Sequence, residues 1–482
     1  MINGAKSYLA SEIDESYPLP HRKPKKSIVN SNVKFHLSYC LPFLFEISVV
    51  IFLDFITENH ERKDKMSILP QDLIGLILER IPVQDAVRTS VLSKGWRYRW
   101  TTMTVLVFDE QFSKKYEKNR AFGDNGLIRI INHVLILHNG PISKFYLYIP
   151  RRHLDSFQEV HQMMLLVSRK SVVELTLTNS NGCYELPSCI SSCSKLKKLQ
   201  LENFIIKPLL KFDVFFNLED LRLRNIDFGA NSCGSLITLP QLRRLLLETC
   251  TNVHNFNIKA DNLHTLAVDS CPDAMFLRLL DAPCLNTVGI CFPKPLKDFV
   301  PVERMNLTML LSNLPEVEVL IVDGYFLKYL SADEIPKWLP CAVDTLIHLH
   351  FIDVDFSDLD QLHGALCLLR NSPNLETLWM VHPPIVMDYD VGPASNLLET
   401  ADCLDQTLNE LYDVEIESFE GSRPNLLFIK LLLAHTPSLE ELTIKPCGTC
   451  YAHQRLDEIA MDVSRFPRAS PEAEVIFLNP KP

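Results

Sequence analysis

Apolar residues recur along this chain at two different intervals, each confined to its own stretch. Between Asp64 and Trp100 the sequence reads DKMSILPQDLIGLILERIPVQDAVRTSVLSKGWRYRW. Leu73, Ile74, Ile77, Leu78 and Ile81 fall at helical spacing. Pro70 suits the first turn of that helix and Pro82 stops it. A second helix is predicted from about Gln84 to Val91, with Ala86, Val87 and Val91 apolar. Ser93 is placed to cap a third, which carries Trp96 and Trp100 four apart on one face. A unit of under about 40 residues without cysteine rarely folds unaided. Leu69, Ile74, Ile81, Val87 and Trp96 cannot all point into one tiny core, so the surplus needs another surface.

After this unit, Val105–Phe108 reads as a strand, Lys114–Arg120 as a charged loop, Asn125–Leu137 as a helix, Ile142–Ile149 as a strand and His153–Ser168 as a helix. From about Val172 the pattern becomes apolar-x-x-apolar-x-apolar, the core of a leucine-rich repeat. Its middle apolar residues are Leu175, Leu199, Leu221, Leu245, Leu266, Val288, Leu320, Leu349, Leu378, Val414 and Leu442. The successive intervals are 24, 22, 24, 21, 22, 32, 29, 29, 36 and 28, so insertions are expected in the later repeats. The longest of these hold Phe292–Val302 and His382–Ser395, both proline-bearing and read as loops. Each strand is too short to bury its face alone, and stacking gives a curved parallel sheet with one shared core. Asn203, Asn225 and Cys250 or Cys271 fall where a repeat turns off its strand, where a side chain can satisfy the turning backbone.

The run Leu69-Pro70, Leu73, Ile77-Leu78, Ile81-Pro82, Asp85-Ala86-Val87, Thr89 to Ser93, Trp96-Arg97 and Trp100 resembles the F-box, in the form found in plant F-box proteins with leucine-rich repeats. That resemblance implies docking on the Skp1-type adaptor of a cullin–RING ubiquitin ligase. By motif position it implies that Leu69, Pro70, Ile77, Ile81, Pro82, Ala86, Val87, Leu92 and Trp96 face the adaptor. Gly95 departs from the motif, where a larger residue is usual, and weakens a third helix by about 1 kcal/mol. Near the C-terminus, Phe419, Gly421, Leu431-Leu432-Leu433, Leu439-Glu440, Phe466, Arg468 to Pro471 and Ala473 resemble the FBD domain that follows the repeats in many such proteins. It reads strand, helix, strand, helix, strand, suited to hiding the open apolar end of a repeat array.

The expected fold class is therefore α/β: a three-helix F-box, then a curved leucine-rich-repeat solenoid with a parallel sheet, capped by an FBD domain. The expected segments are an extension over 1–63, the F-box over 64–110, the repeats over 111–400 and the FBD domain over 401–482. The extension carries an apolar run from Leu41 to Ile56 behind a basic stretch. That run is short of the roughly 20 residues a membrane span needs. It also contains Glu46 and Asp54, each costing about 2.5–3.5 kcal/mol near a bilayer centre. A membrane partner is accordingly not expected.

Charge and composition narrow the function classes. At 482 residues, 47% hydrophobic and 22% charged, the chain has room for a long repeat array. A net charge of −11 opposes general nucleic-acid binding. Fourteen cysteines without a regular framework read as free thiols in a reducing compartment, cytoplasm or nucleus. Cys447-Gly448-Thr449-Cys450 with His453 lacks the second pair that a metal site wants. No phosphate loop, G-x-S-x-G elbow or H-E-x-x-H is present. No catalytic residue, metal or cofactor is expected.

The chemistry left is that of the sheet's open face. Side chains alternate along a strand, so residues between the template positions point away from the core. Lys198, Arg222 and Arg244 put positive charge on adjacent early strands; Val319, Ile321, His350 and Trp379 follow, and the last strands are acidic. An exposed Trp379 beside Val319 and Ile321 is a candidate hot spot. The basic trio is a candidate receptor for an acidic or phosphorylated segment. The function expected from all this is a non-catalytic, substrate-recognising subunit of a Skp1–cullin–F-box ubiquitin ligase. Its expected partners are the Skp1-type adaptor, cullin and RING proteins through it, and a target protein. A non-degradative repeat scaffold and a ligand-dependent receptor are the alternatives.

Overall fold

The computed structural model describes residues 70–92, 94–117, 126–151, 158–182, 184–206, 212–229, 236–253, 257–271, 281–292, 307–312, 314–331, 339, 343–383, 391–400, 404, 407–447 and 453–478. The extension with its apolar run, Leu69, Ser93, residues 293–302 of the first insertion and Gly448 to Cys450 lie outside them. Among the described residues no helix is long and apolar enough to cross a membrane. The chain divides after Met103 into a small N-terminal unit and a large one.

The small unit holds α1 (Gln71–Leu78) and α2 (Val83–Arg88). Pro70 and Pro82 stand one position before the first turn, as N-caps. The Pro70 carbonyl accepts the N–H of Leu73 and Ile74, and that of Pro82 accepts Asp85 and Ala86. The second helix tightens into a 3-10 turn over Thr89–Val91. The third expected helix is not α-helical. Residues 94–98 form turns and Arg99–Thr102 a 3-10 helix. Gly95 lies in its path, and the Thr101 and Thr102 hydroxyls donate to carbonyls three residues back, competing with helical bonding. Trp96 and Trp100 are buried all the same.

Among the described residues of the large unit, fourteen strands lie side by side in chain order, every pairing between neighbours parallel. They are β1 (Val105–Phe108), β2 (Lys144–Ile149), β3 (Glu174–Asn179), β4 (Lys198–Ile205), β5 (Asp220–Asp227), β6 (Arg244–Glu248), β7 (Thr265–Asp269), β8 (Thr287–Cys291), β9 (Val319–Asp323), β10 (His348–Ile352), β11 (Thr377–Val381), β12 (Asp413–Phe419), β13 (Glu441–Pro446) and β14 (Glu474–Phe477). The two-residue strand Tyr184–Glu185 pairs beside β4. The eleven template residues sit directly opposite one another, and none is more than 1% exposed. The same row continues to Leu106 and Phe145 before them and to Val475 after them. Each buried leucine contributes roughly 2 kcal/mol, and each depends on its neighbours for cover.

What connects the strands explains the intervals. Early repeats return by 3-10 turns (Ser188–Ser192, Phe212–Val214) and a short strand pair (Ile237–Thr238, Ile258–Lys259). Later ones use α-helices: Leu307–Ser312, Gly324–Leu330, Leu359–Arg370, Gly392–Glu399, Arg423–His435 and His453–Ser464. A helix advances only about 1.5 Å per residue, against roughly 2.0 Å for a 3-10 turn and 3.3 Å for a strand, so the same return path takes more residues. The second insertion is thus partly helix rather than loop, and Lys114–Glu117 ends a helix begun at Glu110. The segments of the FBD signature supply β12 to β14 and the last two helices, and they extend the same sheet.

Four residues past the template position, Asn203, Asn225, Thr249, Ser270, Asp353 and Ser418 all have positive φ, between 49° and 63°. This left-handed residue turns the chain out of the sheet. Short polar side chains tolerate it because they bond locally. The Asn203 side-chain amide donates to the Asn179 carbonyl and the Asn225 amide to Asn203 Oδ1. One position further along their repeats, Cys250 N–H donates to Cys271 Sγ at 3.3 Å.

Three buried titratable groups set a pH dependence. His382 is wedged by Phe356 and Phe419, and Phe356 stacks on Phe428 of the Arg423–His435 helix, tying the last strands to the repeats. Burial pushes His382 down to about 4, and it does the same to His350, helped by His348. Burial pushes the Asp323 carboxyl up to about 8, against the N–H groups of Phe326 and Phe292 that donate to it. Each histidine is neutral when folded, so its contribution is intact above 6.5 and is lost as pH falls toward 4, about 3 kcal/mol apiece. Asp323 works the other way, and its contribution is lost as pH rises toward 8. With two groups against one, these residues favour maximal stability near pH 6.5. Urea unfolding across pH 4.5–8 should show a loss on the acid side that is shallower in His382→Asn. An unchanged acid slope in that variant would show that His382 does not supply it.

Candidate protein-docking surfaces

On α1 the apolar residues divide into two stripes. Ile74 and Leu78 point inward with Val83, Ala86, Trp96 and Met103. Leu73, Leu76 and Ile77 are exposed, three and four residues apart and so on one face. Leu92 (53% exposed), Val91 and Tyr98 add further apolar surface, and Pro70 and Pro82 are exposed as well. Ile81 and Val87 are half-buried. A small unit that leaves this many large hydrophobic side chains in water presents the kind of surface that partners cover.

The large unit's open face is built of rungs, because parallel strands in register place equivalent residues abreast. One rung runs Glu174, Lys198, Asp220, Arg244, Thr265, Thr287, Val319, His348, Thr377, Asp413, Glu441, Glu474. The next runs Thr176, Gln200, Arg222, Leu246, Ala267, Gly289, Ile321, His350, Trp379, Glu415, Thr443, Ile476. The middle of the open face is an apolar cluster of Ala267, Cys291, Ile321 and Ile352, against which Leu246, Val319 and Trp379 pack. The His350 ring meets Trp379 edge-on at 5.4 Å, and His348 Nδ1 lies 2.8 Å from the Thr377 hydroxyl. The early charges are paired: Lys198 with Glu174 (3.0 Å) and Arg244 with Asp220 (3.2 Å) across strands, and Arg222 with Asp220 (3.0 Å) along one strand.

An F-box domain model matches residues 66–108, and the model described as At1g61320/AtMIF1, LRR domain, matches residues 144–466. F-box/FBD/LRR-repeat protein At1g13570 of Arabidopsis thaliana is 33% identical, over 87% of this chain and 99% of its own length. F-box/FBD/LRR-repeat protein At5g56420 of the same plant is 25% identical over 86% of this chain and 99% of its own. The chain belongs to the F-box/FBD/LRR-repeat family. An F-box joined to leucine-rich repeats implies a substrate-recognition adaptor role in ubiquitin ligases of the F-box type, and proteins of this kind are in general non-catalytic.

Within this F-box/FBD/LRR-repeat chain, not every expected contact residue presents a surface. Ala86 (0% exposed) and Trp96 (2%) belong to the interior of the F-box unit: a short unit spends its few inward positions on them. Leu73, Leu76, Val91 and Tyr98 are exposed, and none of them is among the positions expected to face the adaptor. The signal was the double stripe on the first helix, which one helical interval cannot resolve into inside and outside. On the open face, Ile321 (2% exposed) and His350 are buried, and Trp379 is half-buried rather than exposed. Alternation assigns a face to a residue but not the crowding on that face. The basic trio is held by neighbouring carboxylates, so it is not an open receptor for anions.

Arg222 and Arg244 therefore have a structural role. They flank Asp220, whose side chain is 5% exposed. Arg222→Glu replaces a partner of that carboxylate by a like charge and should lower unfolding stability by about 3 kcal/mol. Lys198→Ala, at an exposed pair, should change it by less than about 1 kcal/mol. Denaturant titration distinguishes the two. Equal, small effects would mean that Asp220 does not need the arginine.

Proposed function

We propose that the F-box unit docks on a Skp1-type adaptor through its exposed apolar residues, Pro70, Leu73, Ile77, Pro82 and Leu92 among them, while the open face of the repeats holds a target protein. Cullin and RING proteins then join through the adaptor. In this reading the chain forms no thioester and moves no ubiquitin. It raises the effective concentration of target lysines at a charged conjugating enzyme. The observation that carries the reading is the outward stripe of Leu73, Leu76 and Ile77 on a unit whose inward positions are already filled. Free cysteines among the described residues suit a reducing compartment, cytoplasm or nucleus.

Ile77 and Leu92 are about half exposed, so Ile77→Asp/Leu92→Asp places two charges on the docking face without touching the core. Capture of purified Skp1-type adaptor should fall at least tenfold, since buried hot-spot positions each carry about 2 kcal/mol or more. The melting temperature should hold within about 1 °C. Capture equal to wild type would move the docking face elsewhere. A folded wild type that captures no adaptor would remove the ligase reading altogether.

A further inference from the structure

The two ends of the long sheet are finished differently. At the first end, Leu106 and Phe108 of β1 are 0% exposed, and Phe112 of the helix Glu110–Glu117 meets Phe108 edge-on at 5.1 Å. At the other end β14 pairs, among the described residues, with β13 alone. Val475, which ends the apolar row, is half-buried, as are Ile476 and Phe477, and Leu478 is 42% exposed. The FBD segments thus carry the array onward through β12 to β14 and leave its last apolar residue partly in water. An edge strand is normally blunted by a charge, a proline or a bulge. The run Val475-Ile476-Phe477-Leu478 contains none of these.

The backbone of this edge is open as well. The Glu474 N–H donates to the Glu440 carbonyl and the Leu478 N–H to that of Ile444, each at 2.9 Å. Backbone groups alternate sides along a strand, so residues 474, 476 and 478 face β13. Val475 and Phe477 turn their N–H and C=O groups the other way, where no described residue bonds them. Such an edge is complementary to itself. With a second copy antiparallel and a two-fold axis through Ile476, Val475 stands opposite Phe477 of that copy, and each such pair exchanges both of its N–H···O bonds. On the inner face, Val475 and Phe477 of the two copies cover one another and continue the apolar row. On the open face Ile476 meets Ile476. The two Glu474 carboxylates are then staggered by about 14 Å along the strands, beyond the screening length of roughly 10 Å at 0.1 M salt. A parallel copy in the same register sets those carboxylates side by side instead.

We infer that β14 docks a second copy of this chain, by antiparallel pairing of the two β14 strands about Ile476. The contact is isologous, so it closes at two chains and uses up the open edge. The buried end at β1 offers no second site of the same kind. Residues directly opposite in an antiparallel pair point to the same side, so the two open faces lie on one side of a continuous sheet. Whatever the open face holds, the dimer holds two of, facing the same way. A pairing this short is small by interface standards, so the dimer forms in a concentration-dependent way. The inference depends neither on adaptor docking nor on the nature of the target.

The test is the mass of the full chain in a dilution series, read by sedimentation velocity. Every preparation carries Ile77→Asp/Leu92→Asp, so that the apolar face of the F-box unit takes no part in association. This chain should pass from dimer to monomer on dilution. Ile476→Lys and Ile476→Glu, added singly, each place like charges on the two-fold axis and should weaken the dimer at least about tenfold. An equal mixture of the two should recover it, because a lysine then faces a glutamate; recovery also shows that both variants are folded. Amide exchange over residues 474–478 should be slower in the dimer than in the monomer, since the outward N–H groups of Val475 and Phe477 become bonded. A chain that stays monomeric at every concentration, a dimer that neither variant weakens, or a mixture no tighter than its components would overturn the inference. So would a dimer in which exchange over 474–478 is unchanged, which would place the interface elsewhere. Adaptor capture by wild type is a separate measurement, and its failure leaves this one standing.

Discussion

The row of apolar side chains from Leu106 to Val475 is the constraint on which the large unit depends. No strand in it has enough area to fold by itself, and every strand supplies half the cover of the next. Parallel stacking in register follows, since any slip by one residue would turn a leucine outward and a charge inward. The polar turn residues with positive φ serve the same end, releasing the chain from the sheet at one fixed distance past the row. Variation is then confined to what lies between strands. That is where 3-10 turns give way to helices without any change in the pairing.

A register this strict also multiplies chemistry. Whatever residue type occupies an equivalent position on neighbouring repeats is brought within one strand spacing of its copies. Asparagines become a ladder of side-chain bonds, acids and bases become cross-strand ion pairs such as Lys198–Glu174 and Arg244–Asp220, and small apolar residues become a second cluster on the open face. The same mechanism puts Asp413, Glu441 and Glu474 abreast on the last three strands. The face is therefore best described by rungs across the strands rather than by residues along them.

Much of this was legible in the sequence, because the repeat template reports burial on the helix-bearing side directly. Eleven template positions were read correctly, and the strands before and after them were missed as repeat members. Leu106 and Phe145 lie in segments whose flanking sequence is helical, and Val475 follows a proline-bearing turn. The F-box motif was legible as a motif, but the direction of each side chain was not. Ala86 and Trp96 are apolar for the same reason as Ile77 and Leu92, and only packing distinguishes them. The open face was legible in its charges and not in its pairings. Arg222 and Asp220 are two residues apart, a spacing that points both to one side of a strand, yet Arg244 joins them only through the register.

The two units meet opposite demands. The F-box unit leaves large apolar side chains in water, a state tolerated where a partner covers them. The repeat unit carries charge on the early and late strands of its open face, on either side of an apolar middle. A surface of the first kind gains affinity from burial and is insensitive to salt. A surface of the second kind gains specificity from the placement of charge, and its strength depends on ionic strength. A constant subunit is well served by the first and a particular target by the second. A rigid sheet suits the second, because carboxylates on a mobile loop would simply move apart, whereas those on β12 to β14 stay at strand spacing.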